Sequence, residues 1–372
     1  MVRRAGLSGV AGAGALAGTL AFAQSAQAVT ITVNVTGAST SRRCNLTDAI
    51  QAAQTDTAVK GCSAGKSTET DTIQLAANTT YQDYGKALYI PSSTGALVIQ
   101  GAADNTEITT RIFAKNYGYP TGAGISTTAC DAPAAVFVGG NVTLKKVFLE
   151  AAESGLTGIC QYAGSLTTDL TRIEEFNRGA MRSWPNSGNA HRNLTVKNAL
   201  IQYNTSIHFG GAIAAFGDVT LNVTNPLFQF NLGEELAGAV YVGPVDGSNT
   251  LGNVTFSGGS ILYNETYSMG GGVFLNGTGT SASVTIDGLW MSQNDSIFQG
   301  GALCVSGTWG TNKVKISNSI FQDNSSSSVP QQGNLNADAY DAVSCRSNSH
   351  IVLSGSDWTH TPPLKGDGTC TF

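Results

Sequence analysis

Few side chains in this chain can carry acid/base chemistry, and the best placed of them keep a constant distance from a repeated asparagine. His208 stands four residues after Asn204, and Glu235 four residues after Asn231. If positions of equal offset stack on one another, the two form a proton-transfer pair, with Glu234 and Tyr267 in the row beside them. Arg178 and Arg182 precede that row in a stretch, residues 166–184, that also holds Arg172, Glu174 and Glu175; His191 follows it. Such a cluster could bind a ligand or offset the charge that develops when a proton leaves an acidic sugar, and it is equally the pattern of a salt-bridged solvent face. Tyr203, Phe230 and Tyr263 each sit one residue before the repeated asparagine, so their rings would line up where sugar faces could stack. Gln293 and Asp323 take the next two places and end the row. Two activities are therefore in view. Turnover would use Glu235 or His208 with Arg178 or Arg182; binding would use the three rings, with Glu174, Glu175 and His191 as polar contacts.

The elements that must hold these residues are written in the repeat itself. Five eleven-residue units, beginning at Leu194, Leu221, Val254, Val284 and Val314, end at Asn204, Asn231, Asn264, Asn294 and Asn324, at intervals of 27, 33, 30 and 30 residues. Seven residues after each of the first four comes Gly211, Gly238, Gly271 or Gly301, in the motifs GGAI, AGAV, GGGV and GGAL. A period near 30 marks a solenoid whose repeats bury their apolar faces only by stacking. Each unit opens with alternating apolar and polar residues, continues with a second apolar pair, and leads to a third apolar stretch after the glycines. Three strands per coil follow, and helix-length periodicity is missing. Strands stacked in this way are parallel and about 4.8 Å apart, so the asparagines are expected to form an amide ladder. The sequence predicts an all-β fold, a right-handed parallel β-helix over residues 86–372, with clear repeats at 194–324 and a C-terminal cap at 325–372.

An open β-helix exposes unpaired strand edges, and an N-terminal cap over residues 29–85 is expected to cover one end. Asn45 reads as a helix cap with Asp48 three residues on, and Leu46, Ile50 and Ala53 form one apolar face. Before it, residues 1–28 read as a secretory signal: Arg3 and Arg4, an uncharged run over 5–23, and Ala26-Gln27-Ala28 as the cleavage site. An exported, monomeric bacterial protein, secreted or held at the cell surface, is expected. The chain carries 20 Lys and Arg against 25 Asp and Glu, and that balance argues against nucleic acid or anionic lipid as partner. Seven cysteines in an exported chain suggest disulfides, with Cys44–Cys62, Cys130–Cys160 and Cys345–Cys370 as the natural pairs and Cys304 left as a buried thiol.

The stretch CNLTDAIQAA at 44–53, then Gly61-Cys62, DTIQL from Asp71 and Thr79-Thr80-Tyr81, resembles the CSLREA-type N-terminal module of bacterial exported proteins. The asparagine and GGAI-type repeats over 194–321 resemble those of polymorphic outer membrane proteins, on a pectate-lyase-like superfold. That second resemblance implies a β-helical surface protein with a role in adhesion. Those proteins end in a membrane β-barrel, for which the 372 residues here leave no room, so adhesion is expected without that anchor.

Other motifs are weaker. Asn334, Asn336, Asp338 and Asp341 alternate oxygen donors as a calcium loop does, which makes calcium the one candidate ion where no cofactor is otherwise expected. Gly61-Cys62-Ser63-Ala64-Gly65 has the letters of a nucleophile elbow without a strand-to-helix setting. The four histidines, at 191, 208, 350 and 360, show no zinc spacing, and the paired aspartates of polygalacturonases are missing. The reading these features favour is an adhesin-like binder of a polysaccharide or surface ligand. A polysaccharide lyase or glycoside hydrolase on the same scaffold comes second, and a structural matrix component third.

Overall fold

A computed structural model gives the architecture. It describes residues 29–37, 42–66, 69–82, 87–91, 95–102, 110–114, 130, 133–151, 154–185, 190–245, 250–311, 313–326, 343–345, 351–359 and 364–366. The signal-like residues 1–28 and the oxygen-rich loop at 334–341 lie outside these.

Among the described residues the strands form four sheets, three of 11, 10 and 10 strands and one of five, and every strand pair is parallel. The chain winds through them in a fixed order, as one coil shows: Arg192–Lys197 in the first sheet, Leu200–Gln202 in the second, Thr205–Ser206 in the third and Ile213–Phe216 in the fourth. The fold is the expected right-handed parallel β-helix. Three strands of each coil are those the sequence predicts, and the third, two-residue strand is added to them in the five clear repeats. Strand pairing also starts before residue 86, because Thr30–Thr32 already pairs with Asp71–Gln74 at the end of the first sheet.

The core is a set of columns. Leu166, Leu194, Leu221, Val254, Val284 and Val314 face inward at one register position of the first sheet, each at most 1% exposed. Each such side chain contributes about 1.5–3 kcal/mol by leaving water, and none could do so without the coil on either side.

Turns are set by the repeated residues. The five asparagines are buried and joined head to tail, Nδ2 of each donating to Oδ1 of the next at 3.0, 2.9, 2.9 and 2.9 Å. Each Oδ1 from Asn231 onward also accepts the backbone N–H of the preceding asparagine, at 3.0–3.2 Å. Phe176 stands in the asparagine's place one coil earlier, and its N–H donates to Asn204 Oδ1, which starts the ladder. The glycine motif has two separate reasons. Its first residue is left-handed, at φ 55, 59, 74 and 67° for Gly210, Ala237, Gly270 and Gly300. Its second is pinched: a Cβ on Gly271 would lie 2.4 Å from the carbonyl oxygens of Asp295 and Gly301.

The predicted cap is present. The helix Leu46–Thr55 is capped by Asn45, whose Oδ1 accepts from Asp48 N at 2.7 Å, and Leu46 and Ile50 are buried against the first coil. Cys44–Cys62 ties the cap and Cys130–Cys160 an early coil, while Cys304 is a buried free thiol. Cys345 is also disulfide-bonded; Cys370, its expected partner, lies outside the described residues.

Candidate functional site

The turn from the second sheet to the third carries the predicted ring row. Tyr203, Phe230 and Tyr263 are left-handed, at φ 57, 54 and 56°. Left-handed backbone costs an ordinary residue about 1–2 kcal/mol, and the asparagine that follows holds it there. Asn204, Asn231 and Asn264 each turn Nδ2 back to the carbonyl two residues earlier, at 2.8, 3.1 and 2.9 Å. The rings are thrown outward and stack, with centroids 5.2 and 5.0 Å apart and planes inclined by 4 and 17°. They are 41–54% exposed. Rings in this geometry cover one another's faces, so the row presents mainly ring edges to solvent.

Around this row the outer surface is unusually apolar. The described residues include eight large exposed apolar side chains: Leu170, Tyr203, Phe230, Tyr263, Tyr267, Trp290, Phe298 and Ile320. All lie on the second sheet, the third sheet or the turns that border them. Beside them runs an amide file in which Gln229 Nε2 donates to Gln202 Oε1 at 2.6 Å and Gln202 Nε2 donates to Glu174. The outer face of the first sheet instead bears Thr143, Thr167, Thr195, Asn222, Thr255 and Thr285 in register. The outer face of the fourth is closed by Tyr241, Phe274 and Cys304, with Phe209, Leu236 and Met269 packed on them.

The predicted acid/base pair forms: His208 Nδ1 and Glu235 Oε1 are 2.9 Å apart across two coils, on the surface. Of the charged cluster, Arg182 approaches the pair from inside the wall, its guanidinium sharing Ser206 Oγ with the His208 N–H, which donates at 3.4 Å. Arg182 is 2% exposed, with Nε donating to the Arg178 carbonyl at 3.0 Å and Nη2 to Ser206 Oγ at 2.9 Å. Flanked in its strand by buried Met181 and Ser183, it braces the wall between the third and fourth sheets and offers no face to a substrate. Arg178 is half-buried and holds Arg182 through its backbone. Glu174, 5% exposed, takes both Arg172 Nε and Gln202 Nε2 on one oxygen, while Glu175 is exposed at the head of the ring column. His191 pairs with Asp218 at 2.8 Å at a different corner, beside fully buried Arg192, whose guanidinium is pushed down to about 10 by burial and held partly up by Asp218.

Sequence reasoning missed Trp290, Phe298 and Ile320 as part of this surface, together with Glu265 and Asp295 in the third sheet. The signal was available in the repeat columns, since each stands at a fixed offset from its asparagine, but not within any single repeat. Among the described residues no group of three or more His, Cys, Asp and Glu is placed to hold a metal, and no helix is long and apolar enough to cross a membrane.

No family model matches the chain, and no curated protein matches it. Among solved structures, the crystal structure of Escherichia coli YbhC aligns over 92% of this chain and 86% of that one, at 13% identity and a TM-score of 0.42, a likeness too distant to bear on chemistry.

Proposed function

We propose that this is an exported binding protein that holds an extended polysaccharide, or a surface coated with one, along the side formed by the second and third sheets. The observation that supports this reading is one-sidedness: all eight large exposed apolar side chains among the described residues fall there. Exposed apolar surface gathered on one face is the mark of a binding site. Trp290, the ring edges and the aliphatic groups would give apolar contact to the C–H groups of sugars, and half-buried Gln229 would meet hydroxyls. A chain laid along the solenoid axis meets an equivalent set of side chains every 4.8 Å or so, close to the advance of one linked pyranose ring. A glycan array on the folded protein tests it, followed by Trp290→Ala and Tyr263→Ala. Each change should weaken a hit by about 1 kcal/mol without lowering the melting temperature. An array with no hit, or hits indifferent to both changes, removes the reading.

A second reading is hydrolysis of the same polymer, and the His208–Glu235 pair favours it. Glu235→Gln should then abolish release of reducing ends while leaving binding intact. No release at any enzyme concentration leaves the protein a binder only.

A further inference from the structure

Over the five clear repeats the same side of the solenoid is anionic without a counterweight. Within the five repeats, residues 200–209, 227–236, 260–269, 290–299 and 320–326 form the second and third sheets and their turns. They contain Glu234, Glu235, Glu265, Asp295 and Asp323 and not one Lys or Arg. Their one basic residue, His208, is engaged by Glu235. The lysines of the repeats, Lys197, Lys313 and Lys315, belong instead to the first sheet and its approach. Glu265 and Asp295 lie directly opposite each other on adjacent strands, with their neighbours Thr266 and Ser296 buried, so both carboxylates point outward. Like charges in register are destabilising. Ser325 Oγ donates to Asp295 at 2.6 Å, which steadies that carboxylate without neutralising it.

We propose that the polymer held here is a chain of amino sugars bearing free ammonium groups. This rests on the polysaccharide reading above and narrows it. A uronate polymer would meet like charge over the whole face. An extended basic peptide fits poorly, because side chains on one of its faces recur about every 6.7 Å and fall out of step with coils about 4.8 Å apart. An amino sugar puts one ammonium on each ring, and the face offers one or two carboxylates on each of four successive coils from Glu234 and Glu235 to Asp323. The apolar groups Tyr263, Tyr267, Trp290 and Phe298 lie among those carboxylates and suit the C–H faces of the same rings.

Calorimetric titration of the intact protein with four probes tests this: a glucosamine oligomer, its N-acetylated counterpart, a galacturonate oligomer and a lysine peptide, with calcium chloride as an ion control. The glucosamine oligomer should bind most tightly, weaken as salt is raised, and lose about fivefold in affinity in the Glu265→Gln/Asp295→Asn double variant. Trp290→Ala should weaken the sugar and leave any binding of the lysine peptide unchanged. Equal or tighter binding of the N-acetylated or uronate oligomer would overturn the ammonium assignment and leave the polysaccharide reading standing. Binding of the lysine peptide or calcium with no binding of any sugar would overturn both.

Discussion

Asn264 sits in the middle of the amide ladder, and replacing it tests whether the ladder or the apolar columns set the coil spacing. Its Oδ1 accepts from Asn231 N at 3.0 Å and Asn231 Nδ2 at 2.9 Å; its Nδ2 donates to the carbonyls of Phe228 and Leu262 at 3.0 and 2.9 Å and to Asn294 Oδ1 at 2.9 Å. Asn264→Ala strands the Asn231 N–H in a buried site, which costs about 1–3 kcal/mol, and the small void adds about 1 kcal/mol. The expected loss is about 3 kcal/mol, read as a fall in the urea midpoint at unchanged slope. Asn225→Ala is the control. Its amide lies on the surface and donates to Asn198 Oδ1 at 3.4 Å, while its backbone is left-handed at φ 47°, which alanine tolerates less well, so the change should cost only about 1 kcal/mol. Asn264→Asp sharpens the test, because at neutral pH it turns a carboxylate oxygen toward three acceptors. Burial would raise that carboxyl's folded pKa above its unfolded value of about 3.9. The sign follows: stability is kept below the unfolded pKa and lost as pH rises through the folded one. The Asp variant should therefore be the less stable of the two at pH 7 and approach the wild type near pH 4. The reasoning fails if Asn264→Ala costs no more than Asn225→Ala, or if the Asp variant shows no dependence on pH.

Gly271→Ala forces a Cβ to within 2.4 Å of two backbone oxygens, so two coils must separate; a melting curve should show a loss above about 3 kcal/mol or failure to fold. Burial is the main cause that raises Asp71, so its share of stability is full below 3.8 and lost as pH rises through its folded pKa. Asp71→Asn should raise the melting temperature at pH 7 and leave it unchanged at pH 3. Asp287 is lowered, first by Ser317 Oγ at 2.6 Å and then by Asn318 Nδ2 at 2.8 Å, so its contribution is present above 3.8 and lost as pH falls through its folded pKa. Ser317→Ala should flatten that acid limb. Replacing both Cys44 and Cys62 with Ser should loosen the helix that covers the first coil, and light scattering should report self-association before the far-ultraviolet spectrum changes.

What the sequence makes legible is what the backbone demands at every coil. The asparagines and the pinched glycines recur because each must meet the coil beside it, and Tyr203, Phe230 and Tyr263 could be placed by counting from them. The third sheet is hidden for the opposite reason. Its strands Thr205–Ser206, Leu232–Gly233, Glu265–Thr266, Asp295–Ser296 and Ser325–Ser326 are two residues long and share no apolar pattern. Composition alone puts Arg182 in a charge cluster that faces either ligand or solvent, whereas its strand sets it outside the fourth sheet under Ser206, where composition is silent. The anionic side was missed because its charges are one or two per coil and emerge only when the coils are read as columns.

Within the five clear repeats, coil length varies in one place only. From the start of each first-sheet unit to its asparagine the count is constant, and so is the count from asparagine to glycine; the intervals of 27, 33, 30 and 30 residues differ because the passage from the fourth sheet back to the first differs, as between Phe216 and Val219 or Gly243 and Val254. In the order of winding, that corner stands farthest from the turn that carries the rings. Insertions, grafted peptides or fluorophores placed there would leave the ladder, the pinch and the ring row in step. A lineage could lengthen and diversify that edge while the opposite face stayed bound to one kind of partner.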